Sequence, residues 1–209
     1  MSADVSDEKT YAVLTAILLK KVSDASALSE ATGLPLDDTG RILGELEKRQ
    51  AVFSMNSSVM ATESGTALVK EIAARNYGEL RGDPELERWH ARFEPLNRQF
   101  LSAVTAWQTV DVGGTKLSND HSDSEYDDKV RSRLDGLVNK MSHLLEEIGA
   151  KVPRLLRYRD RLNGALDKSY AGDSRFISDV RVDSLHTVWF EMHEDVLLVL
   201  GKERTDAGG

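Results

Sequence analysis

The chain contains no cysteine. That excludes a disulfide framework, a thiol nucleophile and any cysteine-based metal site, and it suits a reducing compartment. Long apolar runs are also missing, since none approaches the roughly 20 residues needed to span a bilayer. The leading MSADVSDEKT is polar and acidic where a signal peptide is basic and then apolar. A cytoplasmic protein with no membrane partner is the expectation. A basic excess is the third absence: 27 Lys and Arg stand against 35 Asp and Glu, for a formal net charge of −8. Residues 1–87 hold 15 acids against 9 bases, and residues 88–201 hold 18 against 16. The first half is therefore the more acidic, the wrong sign for affinity built on phosphate neutralisation.

Catalytic signatures are lacking as well. Gly113-Gly114 is not followed by the Lys-Ser/Thr of a phosphate-cradling loop, no serine sits in a nucleophile elbow, and there is no HExxH. His121, among the acids of DHSDSEYDD, reads as part of the start of a helix near Glu125 rather than as a metal ligand. His186 and His193, seven apart, read as buried or interfacial histidines. A non-enzyme with no catalytic residue, no metal and no cofactor is the expectation.

What is present is helical periodicity. Val13, Leu14, Ile17 and Leu18 make one face of a first helix. Asp24 reads as the N-cap of a second, ended by Gly33, and Pro35 suits the first turn of a third with Leu34, Ile42, Leu43 and Leu46 inward. AVFSM and VMAT read as a hairpin turning at Asn56, Ser57 and Ser58, and Thr62 caps a fourth helix. Further on, Trp89, Phe93, Leu96, Phe100, Val104 and Trp107 recur every three or four residues along one long helix containing Pro95. Residues 109–124 read as a polar loop. Val130 through Ile148 form the clearest amphipathic stretch, Pro153 opens another helix, and a last one runs from about Ser184 to Gly201. The expectation is a mainly α protein: a module over residues 1–80, a bundle of about four helices over 85–201, a tail over 202–209, and a hinge at GDPE around residue 82.

LSEATGLPLDDTGRILGELEKRQAV followed by FSMNSSVMATESGTALV resembles the winged helix-turn-helix DNA-binding module of bacterial regulators of the MarR-like group, over roughly residues 8–76. The resemblance implies that the third helix enters the major groove, with Thr39 and Arg41 at base edges, Lys48 and Arg49 on phosphates, and Asn56, Ser57 and Ser58 in the wing. It implies a transcriptional regulator, with duplex DNA and a second copy of the chain as partners. Asp37 and Asp38 fit this poorly, although carboxylates in a first helical turn also favour the dipole by about 0.3–1 kcal/mol each.

In the second part, the aromatic set is core by its spacing, or else the wall of a pocket for a small apolar or aromatic effector. The candidate ligand-binding residues are Trp89, Phe93, Asn97, Phe100, Trp107, Arg175, His186, Trp189, Phe190 and His193. KVPRLLRYRDR carries Lys151, Arg154, Arg157, Arg159 and Arg161, the one dense basic run. The alternative to a regulator is an accessory or adaptor subunit of a multi-protein complex, whose winged helix docks protein and binds no DNA.

Overall fold

In the computed structural model, which describes residues 7–204, the protein is mainly helical, with 72% helix, 9% strand and two small antiparallel sheets. No helix among the described residues is long and apolar enough to cross a membrane. The tail read over 202–209 lies outside the described residues from position 205 onward. The chain divides into two compact units, one made of the segment up to Asp83 together with that from His193, the other Pro84–Met192.

The first unit opens with α1 (Asp7–Lys20), which buries Tyr11, Val13, Leu14 and Ile17. It packs on α2 (Ala25–Thr32), α3 (Leu36–Lys48), β2 (Ser58–Ala61) and α4 (Glu63–Tyr77). The local grammar is short-range. Asp24 accepts from the Ala27 amide at 2.8 Å, and Gly33 ends α2 in the left-handed conformation with φ 73°. Pro35 falls one place before the first turn of α3, as its N-cap. β1 (Val52–Met55) pairs with β2 around Asn56 and Ser57, whose φ values of 50° and 67° suit a two-residue hairpin turn. Ser58 is therefore the first residue of β2 rather than part of the turn.

Thr62 caps α4 by accepting from the Gly65 amide, while its hydroxyl donates to the Gln50 carbonyl at 2.7 Å. Gly65 has its own reason: a Cβ there would stand 2.0 Å from the Ala51 carbonyl oxygen. The Thr-x-x-Gly pattern thus joins a helix start to a backbone contact that no larger residue permits.

The second unit holds α5 (Pro84–Gln108), α6 (Ser124–Gly149), α7 (Leu156–Tyr170), the short α8 (Arg175–Ser178) and the first half of α9 (Leu185–Leu200). The α5 stripe Trp89, Phe93, Leu96, Phe100, Val104 and Trp107 is wholly buried, and α6 packs along it with Val130, Leu134, Met141 and Leu145. Asp123 is the N-cap of α6, its side chain accepting from the Tyr126 amide.

Two sequence expectations need correction here. Residues 109–118 are not loop but a hairpin, β3 (Thr109–Val112) and β4 (Thr115–Ser118), turning on Gly113 and Gly114 at φ 63° and 86°. Two adjacent residues at positive φ between alternating strands are what a glycine pair provides. The span 85–201 is also not one body. From His193 onward α9 belongs with the first unit, where Val196, Leu197, Val199 and Leu200 are buried, the Tyr11 hydroxyl lies 3.5 Å from Asp195, and Arg81 donates to the Leu198 carbonyl.

Candidate functional site

The exposed side of α3 begins with two carboxylates because the apolar stripe dictates it. Thr39, Ile42, Leu43 and Leu46 fall at spacings of three, four and seven and are all buried, so Asp37, Arg41, Glu45, Glu47 and Lys48 must face outward. Thr39 is fully buried and its hydroxyl donates to the Pro35 carbonyl at 3.2 Å. It cannot reach a base edge, and the reading of Thr39 as a DNA contact is corrected.

The remaining cations of that face are exposed, but two of them are engaged. Arg41 bonds the Asp38 carboxylate three residues earlier, and Lys9 of α1 reaches the same carboxylate at 3.1 Å. Those hydrogen bonds, from Lys9 and then Arg41, hold the Asp38 carboxyl below its ordinary value. Lys48 bonds Glu45 at 2.8 Å, with the same effect on Glu45. Exposed pairs of this kind are worth only about 0–1 kcal/mol, so a phosphate could displace them. The carboxylates of Asp38 and Glu45 remain on that face beside Arg41 and Lys48. Arg49 is exposed at the end of α3. Asn56 and Ser57 are exposed at the hairpin tip and Ser58 is half-buried, yet residues 50–62 include no charged side chain.

The aromatic set of the second unit is largely buried, and the indole N–H groups of Trp89 and Trp189 already have acceptors. Trp189 stacks face to face on Phe100, with centroids 3.8 Å apart, and donates its indole N–H to Asn97 Oδ1 at 3.0 Å. Trp89 stacks on Phe93 at 5.1 Å and donates to the Leu144 carbonyl at 2.8 Å. Trp107 packs against His121, whose Nδ1 lies 2.9 Å from the buried Asp127, and the Arg131 guanidinium lies 5.6 Å from the Trp107 ring centroid. Asn97, a candidate to orient an effector, accepts at its Oδ1 from a core tryptophan. Phe190 is half-buried, and His193 falls in the first unit. Arg175 lies on the surface, clamped to Asp173 two residues earlier at 2.7 Å.

His186 is half-buried on α9, and burial pushes its imidazole below the ordinary value of 6.5. A histidine depressed in the folded state binds its proton more readily when unfolded. Its neutral form costs nothing above pH 6.5, and stability is lost as pH falls from there towards the folded value. Unfolding titrations should show this acid-side loss beginning near neutrality, and His186→Gln should remove it while leaving the carboxylate-dependent loss at lower pH.

The basic run of residues 151–161 is not a continuous strip. Lys151 pairs with Glu85 at 3.0 Å, Arg159 with Glu146 and Asp160, and Arg161, its side chain 9% exposed, lies between Asp183 and the buried Glu191. Sequence reasoning missed that buried ion pair, because Glu191 and Asp183 lie 30 and 22 positions away in the chain. No family model matches the chain, nor does any curated protein or solved structure.

Proposed function

We propose that the first unit is a winged helix-turn-helix that serves as a protein-docking module, and that the chain is an accessory or adaptor subunit rather than an enzyme or a DNA-reading regulator. The order α1, α2, α3, β1, β2, α4 supports the module. The electrostatics of α3 support its use: Arg41 and Lys48 turn onto carboxylates of the same helix, and the hairpin brings no cation. That neutralisation is the observation carrying the reading. A DNA reader draws its affinity from several basic phosphate contacts per site. Arg49, the residue that caps α3, also lies near enough to Glu45 to help hold that carboxyl below its ordinary value.

Fluorescence anisotropy of a labelled duplex, titrated with the protein at falling salt, tests the reading. The expected outcome is no saturable binding tighter than about 10⁻⁴ M, the weak end of ordinary non-specific affinity. A log-affinity that falls steeply with log salt, and that weakens with Arg41→Ala, would return the chain to the regulators.

A further inference from the structure

Strand pairing fixes what the hairpin shows to solvent. Val52 and Val59 are buried, 5% and 4% exposed, and Ser54, opposite Val59 in the register, donates its hydroxyl to Glu47 of α3. Side chains alternate across a strand, so Phe53 and Met55 share the other face, and Met60, opposite Phe53, joins them. Phe53 and Met55 are 53% and 56% exposed. An aromatic ring and two thioethers in one contiguous patch differ from apolar residues scattered singly, and thioethers adapt to varied partners. Among the described residues, β1 pairs with β2 alone, which leaves its outer edge of backbone N–H and C=O groups without a neighbouring strand.

Charge selects the occupant. The five carboxylates Asp37, Asp38, Glu45, Glu47 and Glu63 outnumber Arg41, Lys48 and Arg49 over α3 and the ends of the hairpin, and Asp38 and Glu45 already hold the first two cations. A second copy would set acid against acid. We propose that an extended segment of a partner protein, alternating apolar with Lys or Arg residues, adds to the β1 edge. Its apolar side chains lie beside Phe53 and Met55, and its cations lie on the α3 side, where Glu47 stands. The inference rests on the docking reading above and names its partner chemistry. Main-chain bonds supply the register, and the alternating side chains supply selectivity.

The probe is a nine-residue peptide alternating isoleucine and lysine, with an isoleucine-glutamate peptide as control. Both are titrated into the full chain carrying ¹³C-methyl methionine. The lysine peptide should move the Met55 and Met60 methyl signals and leave those of Met141 and Met192 in place. Phe53→Ser with Met55→Ser should weaken it about tenfold, as removal of a small interface's central anchors does. Glu47→Lys should also weaken it, and both variants should keep the wild-type amide spectrum elsewhere. Silence towards the lysine peptide, an equal response to the glutamate peptide, or methyl shifts that follow protein concentration alone would each overturn the proposal. A duplex DNA titration run alongside separates the two levels. Duplex binding at Arg41 sinks the docking reading itself, whereas silence towards both peptide and duplex sinks the strand-addition inference and leaves that reading standing.

Discussion

Trp189→Ala should cost the second unit about 3–5 kcal/mol, the range for removing a buried tryptophan from a packed core. The loss has two parts. Phe100 loses the ring stacked on it, and Asn97 Oδ1 loses its indole donor in a site where Asn97 is only 7% exposed. An unsatisfied buried acceptor adds about 1–3 kcal/mol of desolvation cost to a cavity. Asn97→Leu alone should cost less, and the double variant should fall short of the sum because the two share one hydrogen bond. Chemical denaturation followed by far-UV circular dichroism reads all three. The result also decides between core and effector pocket. An effector wall stripped of its tryptophan keeps most of its stability and loses ligand, whereas a core loses stability first.

The second large effect concerns a charge the sequence disguised. Arg161 sits 2.8 Å from Asp183 and 2.7 Å from Glu191, which is 2% exposed, and its guanidinium lies 5.6 Å from the Tyr158 ring centroid. Burial alone pulls the guanidinium down, but Glu191 and then Asp183 outweigh it and leave the pKa above its ordinary value. Arg161→Met keeps much of the volume and removes the charge, leaving Glu191 buried without its cation. The expected loss is about 3–5 kcal/mol, the cost of breaking rather than replacing a buried pair. Arg161→Met with Glu191→Leu should recover most of that loss, because two apolar side chains of similar size need no mutual compensation. Equal losses in the single and double variants would show that packing, not charge, holds α7 to α9 within the second unit.

How far the sequence could be read follows from the range of each signal. Caps are local chemistry, so Asp24, Gly33 and Thr62 marked helix ends correctly. The α5 stripe was legible because 3.6-residue periodicity repeats over six positions. Thr39 was misjudged although its signal was present: it lies three, four and seven residues before Ile42, Leu43 and Leu46, and a β-branched residue on an apolar stripe packs inward. The β3–β4 hairpin was also visible, since Gly-Gly between TVDV and TKLS is a turn signature. Weighing those glycines only as a phosphate loop hid it. The partners of Arg161, and the return of residues 193–200 to the first unit, depend on contacts between distant parts of the chain. No local pattern encodes them.

The same reasoning explains why composition spoke before motif. The order of elements in the sequence resembles that of a DNA-reading module, but α3 carries Asp37, Asp38, Glu45 and Glu47 beside its cations. Asp37 and Asp38 belong to the first turn of α3 and favour its dipole. Asp38 then anchors both Lys9 and Arg41, and so ties α1 to α3 as well. Stabilising the fold and attracting phosphate are opposed demands at this position, and the residues present meet the first.

The most direct measurement observes those cations themselves: the side-chain N–H resonances of Arg41, Lys48 and Arg49 during a titration with duplex DNA at low salt. The account predicts that they stay where they are, with Arg41 and Lys48 still paired to Asp38 and Glu45. Saturable shifts of all three, reversed by added salt, would contradict it.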